Sequence, residues 1–81
     1  MAKKIPLTEL RVNATGKIVE FYAGAGMARN LSNMGIRAGS RVKKVSQQFA
    51  RGPVVISLGR TTVAIGFGMA RRIIVETDGK K

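Results

Sequence analysis

The sequence predicts a mainly β domain: a small, strongly bent β-barrel of about five short strands, with one short helix and one or two helical turns. Three observations carry that prediction. Ten glycines punctuate short apolar runs at fairly even spacing. The runs are rich in Val and Ile, and in the second half of the chain they alternate with period two. Only one segment of the chain, Met27 to Met34, carries a sustained helical spacing. With 81 residues the chain supports one domain with a small core. The barrel is expected over about residues 5–76, with a frayed, charged tail over 77–81.

The run IPLTEL predicts a single helical turn with Leu7 and Leu10 on one side. Val12 to Gly16 then reads as a turn in which Asn13 takes a left-handed conformation more cheaply than most residues. Gly16 to Tyr22 is the first expected strand and Arg41 to Phe49 the second. Each has a one-residue break in its alternation: Ile18 against Val19 and Phe21 in the first, Val42 against Val45 in the second. Such breaks predict β-bulges, which small barrels use to bend.

Between these strands Met27, Leu31 and Met34 follow the i, i+4, i+7 spacing of a buried helical stripe. Gly35 stands at the natural C′ position, and Ile36 at C″ can close on Leu31, the hydrophobic contact of a Schellman ending. Gly39-Ser40 turns the chain into the next strand. Val54, Ile56 and Leu58 alternate, Gly59-Arg60 makes a two-residue hairpin turn, and Thr61, Val63 and Ile65 return. Gly66 to Arg72 reads as a helical turn carrying Met69 and Ala70, and Ile73 to Glu76 as the closing strand. In size and order these elements fit an SH3-like barrel best.

Composition excludes several kinds of chemistry. The chain has neither Cys nor His, so it has no disulfide, no thiolate and none of the commonest general base. Its four carboxylates are Glu9, Glu20, Glu76 and Asp78, placed against a paired-carboxylate site. No catalytic residue, cofactor site or metal site is expected, and Fe(II) should bind no better than to surface carboxylates. The longest uncharged stretch, Thr61 to Ala70, is half the roughly 20 residues of a membrane span. MAKKIPL has no apolar core of a signal peptide and Ala2 stands where myristoylation needs Gly, so a cytoplasmic location is expected.

Fifteen Lys and Arg give a net charge of +11, a field that attracts nucleic acid, an acidic protein face or an anionic membrane. The cations are dispersed, Lys17, Arg41, Lys43, Lys44, Arg60 and Arg71 among them, so no basic arm exists. The stretch from Arg37 to Lys44, with Arg29 on the preceding helix, is a candidate positive face. Aromatic platforms for single-stranded nucleic acid are scarce. Phe21 and Phe67 read as core, which leaves Tyr22 beside Lys17 or Phe49 beside Arg51. Gly24-Ala25-Gly26 before the helix fails both phosphate-loop patterns: Arg29 holds the place of the third glycine, and no Gly-Lys-Ser/Thr follows. The methionines fit core packing better than a soft-metal site.

The run Leu31-Ser32-Asn33-Met34-Gly35-Ile36-Arg37-Ala38-Gly39-Ser40-Arg41-Val42 resembles the helix-to-strand hallmark of the FeoA family. IPLTEL with Gly16, Gly52-Pro53, and Met69 to Val75 extend the resemblance over roughly residues 5–76. Asn13 stands where the family's first turn would carry glycine. The resemblance implies an SH3-like cytosolic accessory of ferrous-iron uptake that docks on FeoB, a membrane transporter with a cytosolic GTP-binding domain. It implies no catalytic residue, no cofactor and no small-molecule substrate. Leu31, Gly35, Ile36 and Gly39 match its motif in structural roles. Arg29, Asn33, Arg37 and Arg51 are the candidate partner-binding residues. The alternatives are a basic barrel that binds RNA or DNA, and a free-standing relative of the C-terminal domain of DtxR-type repressors.

Overall fold

The computed structural model describes residues 3–22, 24–47 and 51–77. In chain order they form β1 (Lys3–Pro6), a 3-10 turn (Leu7–Glu9), β2 (Thr15–Phe21), α1 (Ala25–Asn33) and β3 (Arg41–Ser46). β4 (Val54–Leu58), β5 (Thr61–Ile65), α2 (Phe67–Ala70) and β6 (Ile73–Thr77) follow. The six strands make one sheet in the order β1-β6-β2-β3-β4-β5, antiparallel throughout.

The strand that sequence patterning misses is β1. Lys3-Lys4-Ile5-Pro6 has no apolar alternation and ends in proline, so it does not read as a strand. It forms at the sheet edge, where proline is tolerated, with Ile5 opposite Val75. β6 runs one residue past the expected end of the closing strand at Glu76, to Thr77 opposite Lys3; residues 78–81 lie outside the described residues. β3 ends at Ser46 rather than Phe49. Residues 48–50, and with them the candidate Phe49 platform, also lie outside the described residues.

Both expected bulges are present. The β2 register against β6 shifts between Ile18 and Glu20, so Val19 is the extra residue and Ile18 and Phe21 both reach the core. The β3 register against β4 shifts between Lys44 and Ser46, which leaves Val45 turned outward and 41% exposed. Bulges bend and twist a sheet. Here Ile18, Val42, Val54, Ile56, Ile65, Ile73 and Val75 join one cluster with Leu7, Leu10, Leu31, Ile36 and Ala70. Close approach needs glycine at one point inside it: a Cβ on Gly16 would lie 3.2 Å from the Val75 Cβ.

α1 has weak intrinsic credentials, with Gly26 in its first turn and no side-chain cap on Gly24. An interior glycine costs about 1 kcal/mol. Fully burying a Leu side chain returns about 1.5–3 kcal/mol, so the burial of Leu31, with Met27 packed against the core, holds the helix. Its end follows the expected Schellman geometry. The Ile36 amide donates to the Leu31 carbonyl at 2.8 Å and the Gly35 amide to that of Ser32 at 2.9 Å, with Gly35 at φ +88. Met34 departs from the expected stripe. As the C-cap residue it leaves the helical path and is 36% exposed, and Ile36 takes the place in the core that periodicity gives to Met34.

Asn13 takes the left-handed conformation expected of it, at φ 75, and its amide donates to the Lys44 carbonyl at 2.7 Å. Gly59 opens the β4–β5 hairpin at φ +74, with Leu58 opposite Thr61. Of the two phenylalanines read as core, Phe21 packs against the cluster, whereas Phe67 is half-buried at the start of α2 and outside it.

Candidate interaction surface

Among the described residues no three His, Cys, Asp or Glu side chains gather where they could hold a metal ion, and no helix is long and apolar enough to cross a membrane. The exposed positions carry charge. The Cβ positions of Gly24, the residue before α1, and Gly26, in its first turn, face open space. Arg29 and Asn33, one turn apart on α1, are both exposed. Arg37, in the connection to β3, and Arg51, before β4, are exposed too. The helix and its following turn thus place Arg29, Asn33 and Arg37 on neighbouring segments of one excursion between β2 and β3, and Arg51 belongs to another loop.

The second cationic surface depends on register. Lys4 on β1 lies opposite Glu76 on β6, Glu76 opposite Lys17 on β2, and Lys17 opposite Arg41 on β3. Directly paired residues share a face of the sheet. At about 4.8 Å per strand the four form a row roughly 15 Å long on the outer face. Lys43, two residues on from Arg41, continues this basic face and stands opposite Ser57 on β4. One carboxylate, Glu76, thus sits between two lysines. The sequence shows the outward positions of each strand by alternation, but the registers that align them across four strands are not visible in it.

Lys44 corrects the reading of Arg37 to Lys44 as one positive face. It shares the inward phase of Val42 and is 2% exposed. Its Nζ donates to the Thr8 carbonyl at 3.1 Å and to Gln47 Oε1. Burial pushes its pKa below the ordinary lysine value. The signal was present in the sequence: if Val42 is inward, the residue two positions on is inward as well. Tyr22 is 60% exposed, one residue beyond β2.

Comparison with known proteins agrees with this architecture. The FeoA domain family matches residues 5–77. A putative Fe(2+) transport protein A of Methanocaldococcus jannaschii is 44% identical over 54 residues. That match takes in 67% of this chain and spans 63% of the length of the relative. The crystal structure of an iron uptake regulatory protein, FeoA, is 30% identical, with a TM-score of 0.80 over 90% of this chain and 95% of its own. The zinc complex of FeoA from Stenotrophomonas maltophilia, described as a prokaryotic SH3 domain protein, is 24% identical with a TM-score of 0.70 over 88% of both chains, and shares the fold. The bent six-stranded sheet is thus SH3-like, and the chain belongs to the FeoA domain family.

Proposed function

We propose that this chain is an accessory protein of ferrous-iron transport that docks on the cytosolic GTPase part of an FeoB-type transporter. The family match across residues 5–77 is the observation that carries this reading. The surface chemistry supports it. Exposed cations stand on α1, on the connection after it and on the outer sheet face. Such a surface suits recognition of an acidic protein face and speeds encounter with it. Docking regulates a GTPase only if affinity differs between its states.

Arg29, Asn33, Arg37 and Arg51 are the proposed contact residues. The test is binding of the purified transporter, and separately of its GTPase domain, to immobilised wild-type protein and to Arg29→Glu, Arg37→Glu and Arg51→Glu. The expected result is retention by wild type, with each reversal weakening it several-fold while the fold survives. Unchanged affinity removes these residues from the interface. A wild type that retains neither the transporter nor its domain overturns the docking itself.

A further inference from the structure

The two edges of the sheet differ. β1 carries Lys3, Lys4 and Pro6, the devices that discourage another strand from pairing with an edge. β5 reads Thr-Thr-Val-Ala-Ile, with no charge and no proline. It pairs with β4 alone, and among the described residues no backbone group of Thr61–Ile65 bonds to anything else. Thr61, Thr62 and Ala64 are exposed.

The hairpin fixes which groups are free. In a two-residue hairpin the closing pair, here Leu58 and Thr61, exchanges both backbone bonds, and the pairs then alternate. Thr61, Val63 and Ile65 therefore turn their amides and carbonyls toward β4. Thr62 and Ala64 turn theirs outward, two donors and two acceptors on an open edge. We propose that this edge of β5 accepts an extended, acidic segment of a partner protein as a seventh strand, held by the Thr62 and Ala64 backbones.

Charge selects the occupant. A second copy would bring two chains of net charge +11 edge to edge. An acidic strand meets Arg60 in the turn before β5 and, on the outer face, the line Thr62, Ser57, Lys43, with Arg41 of the basic row two residues from Lys43 on β3. Main-chain bonds supply affinity in such strand addition and alternate side chains supply selectivity. Because a strand is read by its backbone, the edge works whether or not the transporter is the partner.

The probe is a short, blocked peptide of alternating glutamate and valine, with its lysine-valine counterpart as control, followed by amide shifts and hydrogen exchange. The glutamate peptide is expected to protect the Thr62 and Ala64 amides, with a dissociation constant below about 1 mM. The lysine peptide is expected to do neither. Ala64→Pro removes an outward amide that the β4 ladder does not use, so the fold should persist while binding is lost. Ala64→Glu keeps the amide and should weaken binding several-fold by charge, which keeps the test open if the proline variant misfolds. Absence of binding, protection confined to residues away from β5, equal binding of the lysine peptide, or concentration-dependent dimers through β5 each overturns the proposal.

Discussion

The Lys44 ammonium donates to the Thr8 carbonyl at 3.1 Å, a bond that ties β3 to the 3-10 turn across 36 residues of chain. Both of its acceptors, the Thr8 carbonyl and the Gln47 amide oxygen, are neutral. A buried cation held only by neutral oxygens recovers part of its lost hydration and no more. That cost is reflected in its lowered pKa, for which burial is the cause.

The pH dependence follows from linkage. Between the depressed folded value and the unfolded value of 10.5, the unfolded chain binds more protons at Lys44 than the folded chain does. Stability therefore rises with pH through that window and is fully recovered above 10.5; below the folded value both states hold the proton and the burial cost is constant. Urea unfolding of wild type and Lys44→Met across alkaline pH isolates the effect. The wild-type free energy should gain on the variant as pH rises, and parallel curves would refute it.

Two glycines are required for different reasons, and alanine should separate them. Gly35 has φ +88, and an added Cβ meets only Leu58 Cδ1 at 3.7 Å, an ordinary contact. Gly35→Ala should therefore cost about 1–2 kcal/mol from the left-handed backbone alone. Gly16 has no such φ, yet its Cβ would meet Val75 Cβ at 3.2 Å and the Glu76 carbonyl at 3.4 Å. Gly16→Ala should cost about 1–3 kcal/mol by overpacking two paired strands. The discriminating measurement is a double-mutant cycle with Val75→Ala, which removes the Val75 Cγ2 that an added Cβ would meet at 3.3 Å and keeps the Val75 Cβ. The loss at Gly16 should shrink in part in that background, and the loss at Gly35 should not change.

What the sequence makes legible here is local chemistry. The Gly35 ending, the Asn13 turn, the Gly59 hairpin and both bulges were readable because each depends on a few adjacent residues. β1 was not readable, since Ile5 acquires its strand environment only from Val75, 70 positions away. Met34 departs from its periodicity for a related reason: the Gly35 turn ends the helix first. The proposed contact residues are legible in the sequence only as exposed polar and charged positions. Alternation shows Lys17 and Arg41 on outward positions, but long-range pairing decides that they stand side by side with Glu76.

That alignment has a measurable consequence. Lys17 lies opposite Arg41, and like charges directly opposed across strands are destabilising. Glu76, opposite both Lys4 and Lys17, is the one acid that offsets the row. Because it is partly exposed, its effect is modest. Glu76→Gln keeps the shape and removes the charge, and should lower stability by about 0.5–1 kcal/mol at low salt. Ions screen the row's self-repulsion, so at high salt the difference from wild type should shrink toward zero. Thermal unfolding of both proteins over a salt series reads this directly. A difference that does not change with salt would assign Glu76 a packing role and remove the row as an electrostatic unit.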